Sequence, residues 1–191
     1  MSYQIVTIGS SWGGLAALKT LLRDLPADFP LPIAIAQHRS AGSPDAGLAA
    51  YYDARSALEV RTIEDKEPIE KGRVYLAPPD YHLLVERGFF ELSVDDRVQY
   101  SRPSADVLFE SAVDAYGDGV IGVVLTGANA DGAAGLACIK SKGGFTIVQD
   151  PATADKPEMP LAAIEAVGRP DAVLSLDEVA PYLVKLAGES A

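Results

Sequence analysis

The chain is 191 residues long, 48% hydrophobic and 23% charged, an ordinary globular composition that excludes disordered, collagen-like and coiled-coil classes. Its 16 Lys and Arg against 27 Asp and Glu leave a formal net charge of −11, which repels phosphate backbones and argues against a nucleic-acid partner. No apolar run approaches the roughly 18 to 20 residues that cross a bilayer, and the start MSYQIVTIG has no signal-like pattern, so a cytoplasmic protein without membrane insertion is expected.

The elements follow in order. YQIVTI predicts a strand and LAALKTLLRDL a helix; PIAIAQ predicts a second strand, and SPDAGLAAYYDA a helix with Ser43 as N-cap and Pro44 at its first position. LEVRT (58–62) and RVYLA (73–77) read as short strands. HLLVE and FFELSV flank Arg87 and Gly88 and predict an antiparallel hairpin closed by a tight glycine turn. Ser104 is placed to cap ADVLFESAVDAYG, whose Val107, Leu108, Ser111, Ala112 and Ala115 share a face, and Gly117 ends that helix. VIGVVLTG and DGAAGLACIKSKG form another strand and helix, and GFTIVQ (144–149) and DAVLSL (171–176) add two strands. The one cysteine, Cys138, has no disulfide partner within the chain and reads as a small core residue. The alternation predicts an α/β fold: a three-layer, doubly wound, mostly parallel sheet of about seven strands with a hairpin appendage. A chain of this length suits one domain, so residues 1–191 are read as a single unit.

In such sheets reactive groups collect where the chain leaves the carboxyl ends of strands. Ser11 leaves the first strand in IGSSWGG, His38 the second in AIAQHRS, and Asp131 follows VIGVVLTG in GANADG. A hydroxyl is a weak nucleophile until an imidazole takes its proton, and a carboxylate fixes the tautomer of that imidazole. The chain supplies one of each, 27 and then 93 residues apart, and strand order decides whether they meet. Asp131 also suits an N-cap before Gly132, with Asn129 as the alternative orienting residue. IGSSWGG does not suit phosphate. It lacks the Lys-Ser/Thr of a Walker loop, and it lacks both the G-x-G-x-x-G spacing and the acidic end of a second strand that dinucleotide binding needs.

With these residues identified, the chain resembles the catalytic domain of the chemotaxis protein-glutamate methylesterases, the CheB family. Four blocks carry the resemblance: IGSSWGG; AIAQHRS; YLAPPDYHLLVE with SRPSADVLFESA; and LTGANADGAAG followed by MPLAAIEAVG. It implies a methylesterase-like catalytic domain over 1–191, with Ser11 as nucleophile, His38 as base and Asp131 as the residue that orients it. It also implies hydrolysis of glutamate methyl esters, and deamidation of glutamines, on the cytoplasmic helices of chemoreceptors. No metal or organic cofactor is implied.

The backbone N–H of Trp12 and one near Ala128 are the expected oxyanion donors. The family usually has a small hydroxyl residue where this chain has Trp12, and methionine where it has Ala128; Trp12 either shapes an unusual pocket or covers the core. His82, Arg102 and Met159 are assigned to structure or the site rim. Arg39 and Arg102 are candidates for local basic charge beside an otherwise acidic surface. Typical members also carry an N-terminal receiver domain; this chain starts at the first catalytic strand and is expected to be a stand-alone esterase, with a fragment of a longer protein as the alternative. A weakly catalytic scaffold of the same fold, and an esterase for small molecules, stand as alternatives.

Overall fold

The computed structural model describes residues 3–39 and 47–188. Strands β1 (Ile5–Ser10), β2 (Ile33–Gln37), β3 (Glu59–Thr62), β4 (Arg73–Leu76), β7 (Val120–Val124), β8 (Phe145–Gln149) and β9 (Ala172–Leu174) form one sheet in the order β3-β4-β2-β1-β7-β8-β9. Every pairing in it is parallel. Strands β5 (His82–Glu86) and β6 (Phe89–Ser93) form the separate antiparallel hairpin. Both the seven strands and the appendage match the sequence-based expectation.

The three central strands β1, β2 and β7 are buried along their whole length, as expected for parallel strands covered on both faces. Their side chains alternate between two cores. Val6, Ile8, Ile33, Ile35, Ile121 and Val123 face one layer, with Leu18 and Leu21 of α1 (Gly14–Arg23), Tyr52 of α2 (Leu48–Asp53) and Leu183 of α6 (Leu176–Gly188). Ile5, Ala34, Ala36, Val120 and Val124 face the other. There they meet Leu108 and Phe109 of α3 (Ala105–Tyr116), Leu136 and Ile139 of α4 (Ala133–Ser141) and Met159 of α5 (Glu158–Val167). The hairpin adds Leu83, Val85 and Phe90 to this second core.

Ser104 caps α3 by accepting from the Val107 N–H, and Gly117 ends that helix, both as expected. The capping role expected for Ser43 and Pro44 lies outside the described residues. Cys138 is half-buried against the second core rather than fully enclosed. The run DAVLSL does not stay extended to Leu176: β9 stops at Leu174 and α6 begins. Ser175 is the reason, because Glu178 reaches back to accept from its N–H at 2.9 Å and its hydroxyl at 2.6 Å, the glutamate half of a capping box, which turns the chain into a helix. Among the described residues no helix is long and apolar enough to cross a membrane.

Candidate active site

Strands β2, β1 and β7 are neighbours, so the three polar residues that follow them leave the same edge side by side. The chain crosses the sheet in one direction from β1 to β2 and in the other to β7, which makes this edge a topological switch point where open α/β sheets bind ligands.

Ser11 is held by its own N–H, which donates to Thr126 O at 3.0 Å, and by its carbonyl, which accepts from Gly14 N at 2.9 Å. The turn passes through Gly13 at φ 81°, a left-handed conformation natural to glycine. A Cβ there would also strike Asp155 at 2.7 Å. On the next strand, His38 N donates to Ser10 O at 2.9 Å. This extends the β1–β2 ladder one residue and anchors the imidazole beside the Ser11 turn.

Asp131 is fully buried and its carboxylate gathers four donors. Oδ1 accepts from Ser104 Oγ at 2.7 Å and Asp106 N at 3.1 Å; Oδ2 accepts from Ala105 N at 2.6 Å and lies 2.5 Å from His38 Nε2. The capping role considered for Asp131 therefore belongs to a different helix: Gly132 is the cap of its own helix α4, while the carboxylate sits on the N-terminus of α3. Asn129 does not orient His38; its Oδ1 accepts from Asp131 N at 3.3 Å and shapes the turn. Burial alone would push the Asp131 carboxyl up, but the hydrogen bond and charge of His38, with Ser104 and Ala105, outweigh it and hold it below its ordinary value. An ionised Asp131 can only accept, so His38 Nε2 carries a proton, and whenever the imidazole is neutral it is Nδ1 that presents the lone pair.

The cleft at this edge encloses about 500 Å³ and is lined by Ser11, Trp12, His38, Arg39 and Ala128 together with Gln99, Tyr100, Ser101 and Asn129. Trp12 is 68% exposed, which settles its alternatives: it is a wall of the cleft and not a cover for the core. The N–H groups of Trp12 and Ala128 have no acceptor among the described residues. Beneath Ala128, a Cβ at Gly127 would land on Met159 Sδ and lie 2.9 Å from Ser11 Cβ, so glycine is required where this loop passes the serine.

The other residues assigned to structure or rim divide clearly. His82 is buried and structural: Nδ1 accepts from Ser104 N at 3.2 Å and Nε2 donates to Asp96 O at 3.0 Å. Arg102 pairs with Asp80 at 3.0 Å and donates to the carbonyls of Val94 and Asp95, so its charge is spent on the loop before α3. Arg39 lines the cleft and donates to Ala77 O at 3.1 Å.

The family model described as CheB methylesterase matches residues 6–183 of this chain. The chain belongs to the CheB methylesterase family. Among CheB methylesterase relatives, a Leptospira interrogans chain named for protein-glutamate methylesterase and protein-glutamine glutaminase is 48% identical, over 97% of this chain and 96% of that one. A similarly named Anaeromyxobacter dehalogenans protein is 44% identical over 96% of this chain, which spans only 53% of that longer relative. The crystal structure of the Thermotoga maritima CheB methylesterase catalytic domain superposes with a TM-score of 0.91 at 37% identity. It covers 97% of this chain and is itself covered completely, so this chain is about the size of a CheB catalytic domain alone.

Two contributors to the CheB-type site escaped sequence reasoning. Ser104 was legible as a helix cap, but not as a hydrogen-bond partner of a carboxylate 27 residues away. Ser101, whose Oγ lies 3.2 Å from His38 Nδ1, stood in a recognised block, SRPSADVLFESA, with nothing local to mark its reach to a residue 63 positions earlier.

Proposed function

We propose that this chain, read over 1–191 as one catalytic domain, hydrolyses glutamate methyl esters and deamidates glutamines on the cytoplasmic helices of chemoreceptors. Ser11 is the nucleophile, His38 the base and Asp131 the residue that orients it. The observation that carries this reading is the buried Asp131 carboxylate 2.5 Å from His38 Nε2, with the opposite ring nitrogen turned into the cleft that Ser11 also lines.

In the first half-reaction the Ser11 Oγ proton passes to His38 Nδ1 as Oγ bonds to the ester carbonyl carbon. The oxygen that gains charge is received by the N–H groups of Trp12 and Ala128. His38 returns the proton to the departing methoxy oxygen and methanol leaves; with glutamine the departing group is ammonia. Water then gives a proton to His38 as its oxygen bonds to the acyl carbon, and His38 returns that proton to Ser11 Oγ as the acyl–Oγ bond breaks, releasing glutamate and restoring the free serine. Asp131 keeps the imidazole tautomer fixed and stabilises the imidazolium between steps. An acidic chain that acts on the cytoplasmic part of receptors is accordingly assigned to the cytoplasm.

Methanol release from methylated receptor fragments tests this reading, with Ser11→Ala, His38→Gln and Asp131→Asn beside the parent protein. A fall of at least about 10³-fold is expected for each. Full activity in Ser11→Ala would overturn the mechanism.

A further inference from the structure

Two serines, Ser11 and Ser101, line the same cleft as His38. Among the described residues Ser11 Oγ has no hydrogen-bond partner, whereas Ser101 Oγ lies 3.2 Å from His38 Nδ1. Because Nε2–H donates to Asp131, the neutral imidazole has one in-plane lone pair, on Nδ1, and Ser101 is the donor to it; the other acceptor near that hydroxyl, Gln99 O, is farther away at 3.4 Å. That lone pair is the one that has to accept the Ser11 proton.

Ser101 is poorly built to be the nucleophile itself. Its own N–H is committed to Val98 O at 2.8 Å, while the unpartnered N–H groups, those of Trp12 and Ala128, flank Ser11. It is also well held where it is. Val98 and Ser101 bond to each other in both directions, and Arg102 fastens the carbonyls of Val94 and Asp95 at 2.6 and 2.9 Å. Between Val98 and Ser101 the chain runs through Gln99 at φ 49° and Tyr100 at φ 62°, left-handed conformations that non-glycine residues adopt at a cost. Tyr100 is 94% exposed, so it contributes little packing in return.

We infer that Ser101 is a positioning residue that holds the His38 lone pair in the resting enzyme and must release it before Ser11 can be activated. The inference rests on Ser11 and His38 acting as proposed above. Ser101 forms and breaks no covalent bond; its hydroxyl competes with that of Ser11 for one acceptor, and substrate entering along Gln99 and Tyr100 displaces it.

The rate at which a serine-directed fluorophosphonate labels Ser11 reads this competition directly, without a receptor substrate. In Ser101→Ala the competing donor is gone while the backbone bonds to Val98 remain, so labelling should accelerate about two- to tenfold, the worth of one ordinary hydrogen bond. Ser101→Thr restores the hydroxyl and should return the rate to that of the parent. An unchanged or slower rate in Ser101→Ala, or a Thr variant as fast as the Ala variant, overturns the inference. Absence of labelling in the parent protein, by contrast, would overturn the Ser11 assignment itself, so the two failures are distinct.

Discussion

Replacing Asp131 by Asn exchanges one buried carboxylate oxygen for an amide nitrogen at a point where four donors converge. If the nitrogen takes the Oδ2 position, Ala105 N–H loses its acceptor and His38 must turn its Nε2 lone pair toward the amide, which leaves a proton on Nδ1. If it takes the Oδ1 position, Asp106 N–H is stranded and Ser104 must rotate its hydroxyl. Either arrangement leaves a buried N–H unpaired, a cost of about 1–3 kcal/mol. Either also removes a negative charge from the N-terminus of α3, worth up to about 2 kcal/mol in a buried setting. The expected loss is about 1–5 kcal/mol in denaturant unfolding at pH 7. In the first arrangement the imidazole is in the wrong tautomer and ester cleavage should fall about 10⁴-fold; in the second the tautomer survives but the charge that stabilises the imidazolium is gone, and activity should still fall well over tenfold. The loss in stability should depend on pH with a defined sign. Asp131 is held below the ordinary carboxylate value, so its stabilisation is present above about pH 4 and vanishes as the pH falls through its folded value. The parent and variant should therefore converge in acid. An Asn variant that unfolds at the parent midpoint at pH 7, or keeps more than a tenth of the activity, would refute this account of the carboxylate.

Asp106 should behave in the opposite sense. Burial raises its carboxyl to about 6, against a hydrogen bond from Gly135 N–H and with help from the charge of Asp131. A raised acid is favourable while protonated and loses that contribution as the pH rises through about 6; two units correspond to about 3 kcal/mol. Asp106→Asn keeps an acceptor for Gly135, so the stability difference, variant minus parent, should grow between pH 4 and 7 in urea unfolding; a flat difference refutes it. Gly127→Ala places a methyl group against Met159 Sδ and Ser11 Cβ. It should cost about 1–3 kcal/mol by overpacking and lower kcat by displacing the nucleophile; a fully active, stable variant would show that the loop yields freely. Trp12→Thr should change stability by no more than about 0.5 kcal/mol while altering KM, because the indole is a cleft wall; a loss above about 2 kcal/mol in thermal unfolding would return Trp12 to the core.

The parts of the site legible in the sequence were those with a local signature. IGSSWGG announced a strand, a turn and a helix, and its departures from phosphate-binding spacing left Ser11 as the reactive group. Ser104 and Gly117 were readable as helix ends because caps act within a few residues. The parts that were not legible act across the fold. Asp131 was read as the partner of His38, with a cap of the helix that follows it as the alternative; its carboxylate meets His38 but also receives the first N–H groups of α3, a helix that precedes it in the chain. Arg102, a candidate for local basic charge at the rim, is fastened to Asp80. Ser101 gave no sign of its contact with His38, since a hydroxyl in a polar loop has no periodicity to betray its partner. The C-terminal helix was missed although its signal, Ser175 followed three residues later by Glu178, was present.

By itself the sequence determined the alternation of strands and helices, because a buried parallel strand and an amphipathic helix each impose a periodicity on their own residues. It also determined the chemical inventory, a hydroxyl, an imidazole and a carboxylate at three strand ends. Only the tertiary structure decided that β2, β1 and β7 are adjacent. That order depends on which crossovers cover which face of the sheet, a property of packing between segments tens of residues apart. Adjacency brings Asp131 to His38 across 93 positions of chain, and the same packing brings Ser101 to the opposite nitrogen of that imidazole, Nδ1.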